Sequence, residues 1–226
     1  MVLRAAGDPV RAAAEQRYLK SDLEFIGCRV PQVRRATQFV VGRQAELTRA
    51  ELLAEVAALW GRPVFELRLA AIETLAAGER LLEAQDVAVL EGFLRESRTW
   101  ALVDALTTGT LARLVERFPH LVADLDRWAG DDDFWIRRSA MLALLPAIRR
   151  GGGDFARFAG YADAMLEERE FFIRKAIGWM LREASKKRPD LVYEWLRPRL
   201  DRASGVTLRE AVKYLRPEQR AALRRA

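Results

Sequence analysis

Trp100 and Asp104 stand one helical turn apart and combine residue types that can do chemistry. At a spacing of i and i+4 on a helix, both side chains project from the same face. A fixed carboxylate stabilises positive charge that develops on a bound molecule, and the face of an indole ring attracts cationic groups. The pair therefore indicates a surface that could hold an electron-poor centre.

Two later segments also combine tryptophan with charged residues. Trp135 and Arg138 are spaced i and i+3, and Trp179 lies four residues after Lys175 and three before Arg182. Helical geometry places each set on one face, and the second set lies away from the apolar stripe of its own segment. A basic surface with interleaved aromatic rings suits a nucleic-acid backbone, because cations bind phosphates and aromatic faces contact sugars and bases. Further cations extend this surface, namely Arg34, Arg35, Arg137, Arg174, Lys186, Lys187 and Arg188.

Asp104 is acidic at a position where the later segments carry Arg138 or Lys175. One interpretation is an internal ion pair with one of those cations. The other is a catalytic carboxylate in a cationic groove. A carboxylate that faces DNA repels phosphate, so a protein that only binds DNA has little reason to place one there. The other three tryptophans, Trp60, Trp128 and Trp195, lie near apolar residues and are predicted to belong to the core.

The composition excludes several classes of protein and of site. The chain has 226 residues, of which 50% are hydrophobic and 31% charged, with a net charge of +6. This apolar content excludes disorder, and the longest apolar run, residues 140–148, is too short to span a membrane. The N-terminus lacks the apolar stretch of a signal peptide, so a cytoplasmic protein is expected. Cys28 and His120 are single, which excludes a disulfide framework, a thiolate cluster and a multi-histidine metal site.

Internal repetition predicts the fold. Five similar segments begin at Phe65, Thr99, Phe134, Phe171 and Val206; their second residues are 34, 35, 37 and 35 residues apart, and a looser copy begins at Val30. A period of about 35 residues is typical of one helix–turn–helix unit of a solenoid. Apolar residues within the segments follow helical spacing, and no segment alternates as a strand would. The sequence therefore predicts one all-α domain over residues 1–226, in which the repeated segments open the second helices and line a concave groove.

Four segments are more specific than helical repeats require. They are residues 18–31, which contain Tyr18, Lys20 and Pro31, and residues 97–104, 133–138 and 170–179. In these segments, and over nearly the whole chain, the sequence resembles the bacterial DNA alkylation repair glycosylases built of HEAT-like repeats, the AlkD family. The resemblance implies a right-handed α-solenoid of five to six HEAT-like helical hairpins with a concave basic groove. It also implies a monofunctional DNA glycosylase that excises cationic N3- and N7-alkylated purines from duplex DNA without flipping the base.

The resemblance also implies roles for individual residues. Trp100 and Asp104 match the catalytic pair of the family, and Trp179 matches its second groove tryptophan. Arg138 matches its groove arginine, with Arg137 as the alternative if the alignment slips by one residue. We therefore expect Asp104, Trp100 and Trp179 to be catalytic, and we expect DNA contacts from Tyr18, Lys20, Trp135, Arg137, Arg138, Arg174, Lys175 and Arg182. No cofactor or metal is implied, the expected partner is alkylated double-stranded DNA at the nucleoid, and a monomer is expected to suffice.

The residue types suit this chemistry. An N3- or N7-alkylated purine is already positively charged, so it leaves as a neutral base and needs no general acid. Charge instead develops on the deoxyribose, where a carboxylate can stabilise it and orient the attacking water. Two other functions remain open: a non-catalytic HEAT-like module that binds structured DNA, and a protein–protein scaffold, the commonest use of helical solenoids.

Overall fold

The computed structural model describes the backbone of residues 2–41 and 47–223 and the side chains of residues 3–38 and 47–223. Within these ranges the regular structure is helical, apart from one parallel bridge between Glu24 and Val64. The predicted all-α class is thereby confirmed. Backbone contacts divide the chain into two compact units, one up to Phe118 and one from Pro119 onward. The single domain over residues 1–226 stays a prediction, and its two end residues lie outside the described ranges.

The first unit consists of eight α-helices within the described residues, joined by short turns. Their bounds are α1 Val2–Ala5, α2 Pro9–Leu19, α3 Val30–Val41, α4 Arg49–Trp60, α5 Phe65–Ala77, α6 Val87–Ser97, α7 Trp100–Leu106 and α8 Ala112–Arg117. A π-helical turn, Thr107–Leu111, joins α7 to α8, and 3-10 turns at Glu79–Leu81 and Ala84–Asp86 lead into α6.

The second unit contains eight α-helices, counted over the residues that the structure describes. Their bounds are α9 Val122–Trp128, α10 Phe134–Leu142, α11 Leu145–Arg149, α12 Phe155–Ala164, α13 Phe171–Ser185, α14 Pro189–Leu196, α15 Gly205–Ala211 and α16 Pro217–Leu223. The 3-10 turns are Pro119–Leu121, Arg197–Arg199 and Val212–Tyr214.

Each repeated segment opens a helix, as the sequence predicts. The helices that begin with these segments are α3, α5, α7, α10, α13 and α15. Within the first unit α5 packs against α3 and α7, and within the second α13 packs against α10 and α15. Successive repeats therefore place their second helices side by side, the arrangement of a helical repeat protein.

Helix ends follow local sequence signals. Asp133 and Asp154 are the N-caps of α10 and α12, and their carboxylates accept hydrogen bonds from the backbone amides of Trp135 and Arg157, each at 2.8 Å. A carboxylate at this position also suits the positive end of the helix dipole. The three tryptophans predicted as core, Trp60, Trp128 and Trp195, are at most 9% exposed, which confirms that prediction.

The segment after α2 is fastened to α5. The buried carboxylate of Glu66 accepts the backbone amides of Ile26, Gly27 and Cys28 at 2.9, 2.6 and 3.1 Å. Gly27 has φ +86°, and a Cβ there would lie 2.0 Å from the carbonyl oxygen of Asp8, so only glycine fits. These bonds fix where α2, which carries Tyr18, stands relative to the repeats.

No helix among the described residues is long and apolar enough to cross a lipid bilayer.

Candidate nucleic-acid interface

The first unit brings together two aromatic residues of the predicted site, Tyr18, expected to contact DNA, and Trp100, expected to be catalytic. The rings of Tyr18 and Trp100 meet edge to face, with centroids 6.1 Å apart and an interplanar angle of 89°. Tyr18 is 73% exposed, and Trp100 is half-buried at the first residue of α7. These residues are 82 positions apart in the sequence, and the structure brings their rings into contact. An edge-to-face pair of this kind holds the indole in one orientation.

Asp104 lies one turn after Trp100 on α7 and is half-buried. Thr108 donates its hydroxyl to the backbone carbonyl of Asp104 at 2.7 Å. The π-helical turn Thr107–Leu111 begins three residues after Asp104. Such turns widen a helix by one residue and are frequent at functional sites. Trp100 and Asp104 therefore lie one turn apart on the same helix, as predicted.

Lys20 lies in the same unit, two residues after Tyr18. It is exposed, caps the C-terminus of α2, and has a left-handed backbone with φ +49° and ψ +45°. A non-glycine residue in this conformation costs roughly 1–2 kcal/mol. Its side chain forms no ion pair with any described residue.

Trp135 in the second unit is buried, contrary to the expectation that it lies on a groove. It is 8% exposed, and its ring packs against Phe134 and Phe172 at centroid distances of 4.5 and 4.7 Å. Phe172 belongs to the next repeat, 37 residues further on, and covers the face that helical spacing alone leaves open. We therefore correct the expectation: the Trp135 ring is part of an aromatic cluster between α10 and α13.

Arg138 is also buried, with 3% of its surface exposed. Its guanidinium donates to the carbonyl oxygen of Phe172 at 2.5 Å and lies 6.0 Å from the centre of the Phe172 ring. The arginine thus helps to join α10 to α13. Its predicted contact with DNA stays a prediction.

Arg137 and Arg174 both bind the loop that precedes α13. Arg137 forms two hydrogen bonds with the carboxylate of Glu168, at 3.1 and 2.8 Å, and Arg174 donates to the Glu168 carbonyl at 2.6 Å. Arg137 also holds the carbonyls of Asp131 and Asp132 ahead of α10, at 2.6 and 2.9 Å. These contacts give both arginines a structural task, and their predicted DNA contacts stay predictions.

Lys175 and Arg182 converge on one buried carboxylate, that of Glu210 in α15. Lys175 binds it at 2.8 Å, Lys213 binds it at 3.0 Å, and Arg182 forms a third ion pair. Burial by itself would raise the pKa of Glu210, but the hydrogen bonds from Lys175 and Lys213 and the charge of Arg182 outweigh it. The pKa of Glu210 falls to about 2 as a result.

Trp179 is half-buried on α13, between two groups of charged side chains. The guanidinium of Arg149 lies 5.9 Å from the centre of its ring. Arg149 and Lys186 in turn bind the buried carboxylate of Glu183 at 3.0 and 2.9 Å. Burial raises the pKa of Glu183, but these two cations outweigh that effect and leave it below its ordinary value.

We call this group of charges the α13 cluster. It consists of Arg149, Lys175, Arg182, Lys186 and Lys213 around Glu183 and Glu210. Five cations around two carboxylates leave a local charge of +3. The carboxylates hold long side chains in place, so the cluster presents positive charge at a lower entropic cost than free lysines and arginines would.

The acids of the α13 cluster and Glu168 are residues that sequence reasoning missed. One signal could have revealed them, namely opposite charges about one repeat apart. Lys175 and Glu210 are 35 residues apart, and Arg149 and Glu183 are 34 apart. Among the residues described, no group of three or more histidine, cysteine or acidic side chains is arranged to hold a metal ion.

Comparisons with known proteins give one consistent result. The family model described as "DNA alkylation repair enzyme" matches residues 1–215. Among curated proteins, none matches the chain.

Three solved structures share the fold. A structure described as a predicted DNA alkylation repair enzyme from Enterococcus faecalis has a TM-score of 0.83 and 23% identity, covering 93% of this chain and 97% of that one. AlkD2 from Streptococcus mutans has a TM-score of 0.65 and 15% identity, over 89% and 96% of the two chains. The protein smu.31 from Streptococcus mutans UA159 has a TM-score of 0.64 and 15% identity, over 83% and 98%. At these identities the likeness establishes the helical repeat fold.

Proposed function

Because the chain belongs to the DNA alkylation repair enzyme family, we propose that it is a monofunctional DNA glycosylase for cationic N3- and N7-alkylated purines. A role in the repair of alkylated DNA follows from membership of this family. One observation above all supports the more specific proposal that the protein is a glycosylase. Asp104 is half-buried one turn from Trp100, whose ring is held by the exposed Tyr18.

In the proposed reaction the bond between C1′ of the deoxyribose and the purine nitrogen breaks, and its electron pair leaves with the base. The cationic base becomes neutral, and positive charge moves to the sugar. Asp104 would stabilise that charge and orient the water whose oxygen bonds to C1′, while the water proton passes to solvent or to the carboxylate. Trp100 would contribute cation–π attraction of roughly 0.5–2 kcal/mol.

The second unit would supply contacts to phosphates, and Trp179 stays a proposed catalytic residue. The net charge of the α13 cluster suits phosphates, and counterion release would make the resulting affinity dependent on salt. Trp179 offers a partly exposed aromatic ring next to these cations. In this proposal the target base stays stacked. Lesions are therefore selected by how easily their glycosidic bond breaks and not by the fit of the base in a pocket.

The decisive experiment compares release of 7-methylguanine from methylated duplex DNA by the wild type and Asp104→Asn. We expect the variant to lose at least about a hundredfold in rate, as is typical when one electrostatic contact to a transition state is removed. Its affinity for DNA should be unchanged or slightly higher, because a negative charge is lost. Asp132→Asn, an exposed aspartate in the second unit, is the matched control and should keep full activity.

A parallel assay tests the restriction to cationic adducts. DNA that carries the neutral adduct 1,N6-ethenoadenine should yield no released base under conditions that release 7-methylguanine. Equal release of the two bases would refute the proposed selection. Binding to DNA with no release of either base would instead indicate a non-catalytic DNA-binding protein.

A further inference from the structure

A cleft in the first unit lies next to the Tyr18–Trp100 pair and concentrates positive charge. Its lining includes Lys20, Arg68, Arg95 and Arg98, together with Asp22 and Glu96. We call it the cationic cleft. Lys20 follows Tyr18 by two residues, and Arg98 precedes Trp100 by two, so the cleft and the aromatic pair are formed by the same two stretches of chain.

Two residues of this cleft have an unusual backbone. Lys20 has φ +49° and Arg98 has φ +44°, and no other non-glycine residue in the described ranges has a positive φ. Each residue caps the C-terminus of a helix, α2 and α6, where glycine is the usual choice because it has no Cβ. Both positions instead carry long cations. Backbone strain of this kind tends to occur where a side chain is needed at a functional site.

The charges of the two residues are available to a ligand. Within the described part of the chain, neither Lys20 nor Arg98 forms an ion pair or a side-chain hydrogen bond. Arg68 lies deeper in the cleft, donates to the carbonyl of Glu96 at 2.9 Å and stacks on Trp60 at 5.0 Å. Its Nε is buried without a hydrogen-bond partner. The cleft therefore contains two unpaired cations at its surface and one unsatisfied donor inside.

A simpler explanation is that each cation only complements the negative end of its helix dipole. That benefit does not require both residues to face one cleft. It also does not explain why strain is accepted, since a cation elsewhere in the last turn would serve the dipole equally well.

We propose that Lys20 and Arg98 form a clamp for one phosphodiester group of the DNA backbone, beside the nucleotide that Trp100 and Asp104 would act on. The choice of DNA as the ligand rests on the proposed function. The non-bridging oxygens of one phosphodiester can accept charge-assisted hydrogen bonds from both residues. Such a contact fixes the position of the DNA and reads no sequence.

The test measures binding of the full chain to a fluorescent undamaged duplex at several salt concentrations. The variants are Lys20→Gly and Arg98→Gly, which keep the left-handed backbone and remove the cation, and Arg98→Lys, which keeps a charge. Each glycine variant should bind about fivefold more weakly at low salt and lower the magnitude of the slope of log K against log salt by about 0.9. Arg98→Lys should keep the wild-type slope. Arg80→Ala removes an exposed cation of the same unit outside the cleft and controls for net charge.

Thermal melting separates loss of contact from loss of fold. Because glycine relieves the strained backbone, both glycine variants should melt at or above the temperature of the corresponding alanine variants. If both glycine variants are folded and have the same salt slope as Arg80→Ala, the clamp is refuted. Inorganic phosphate competes for the same contact, so at matched ionic strength it should displace DNA more strongly from the wild type than from Arg98→Gly. Phosphate that raises the melting temperature of the wild type but not of Arg98→Gly, with a salt slope in Arg98→Gly equal to that of Arg80→Ala, would assign the cleft to free phosphate and overturn the proposal.

The clamp and the glycosylase can fail separately. If the wild type releases 7-methylguanine and the glycine variants keep the wild-type salt slope, only the clamp proposal is refuted. If the salt slopes change but the wild type releases no base, the clamp is supported and the glycosylase proposal is refuted.

Discussion

Tyr18 and Trp100 contact each other ring to ring, so the hydroxyl group of Tyr18 is not needed for the contact. We expect Tyr18→Phe to release 7-methylguanine at the wild-type rate. Tyr18→Ala should lose about fivefold, because an aromatic pair of this geometry contributes roughly 0.5–1.5 kcal/mol to the orientation of the indole. Single-turnover base release measures both. Equal loss in the two variants would mean that the hydroxyl, and not the ring, is what matters.

Glu210 makes a pH-dependent contribution to stability. Its pKa in the folded protein is about 2, whereas its ordinary value is 4.5, so the folded state favours the ionised form. The contribution is therefore fully present above about pH 5 and is lost as the pH falls toward 2. Glu210→Gln should lower the free energy of unfolding at pH 7 by about 3 kcal/mol, with a smaller difference at pH 3.

Denaturant unfolding at pH 7 and at pH 3 measures this difference. Glu194→Gln is the control, because Glu194 is exposed and lies 3.7 Å from Arg197, a surface pair that contributes little. If Glu210→Gln lowered the free energy of unfolding equally at pH 7 and pH 3, the ionised form of Glu210 would not be the source of the stability.

The tryptophans illustrate how far the sequence neighbours of a residue predict its burial. Trp60, Trp128 and Trp195 stand among apolar neighbours in the sequence, and all three are buried. Trp135 stands near charged residues, yet it is buried, because Phe172 from the next repeat covers it. Local spacing describes one helix and carries no information about what the neighbouring helix places on it.

At the scale of elements, α13 and α15 approach closely at Gly178. A Cβ at Gly178 would lie 2.8 Å from Cβ of Glu210 and 3.1 Å from the carbonyl oxygen of Thr207. Gly178→Ala should therefore lower the free energy of unfolding by roughly 1–3 kcal/mol, because the helices must move apart. Gly109 in the π-helical turn has no atom within 4 Å of a built Cβ. Gly109→Ala should raise the free energy of unfolding by about 0.5–1 kcal/mol.

Chemical denaturation of the two alanine variants gives both values. A stabilised Gly178→Ala variant would mean that the close approach of α13 and α15 is not needed.

Helix starts were more predictable than helix interiors. The repeated segments predict six helix starts, and Asp133 and Asp154 act as the caps that their positions suggest. The π-helical turn Thr107–Leu111 had no such signal, because a change in hydrogen-bond register inside a helix leaves the apolar spacing almost unaltered. The left-handed backbone at Lys20 and Arg98 was also hidden, since neither residue type is typical of that conformation.

At the scale of the whole molecule, the proposed chemistry needs no titrating histidine. His120 is the single histidine and is exposed in a 3-10 turn of the second unit. The leaving base is already cationic, so we expect His120→Ala to release 7-methylguanine at the wild-type rate. The rates of both proteins should change less than about twofold between pH 6 and pH 8, since no proton has to be delivered to the base. A tenfold lower rate of base release by His120→Ala would mean that His120 acts as a general acid and that the mechanism is a different one.

Many side-chain contacts in the described part of the chain join residues about one repeat apart. Examples within single units are Arg49 with Asp86, Trp60 with Glu96, Tyr161 with Asp126, Arg137 with Glu168 and Lys175 with Glu210. Each hairpin is thus bonded to the one that follows it, at an offset of 31 to 37 residues along the chain. Duplication or deletion of a complete hairpin would preserve that offset and its bonds, whereas gain or loss of a few residues inside a helix would misalign all of them. Evolution can therefore change the length of such a protein most easily in whole modules.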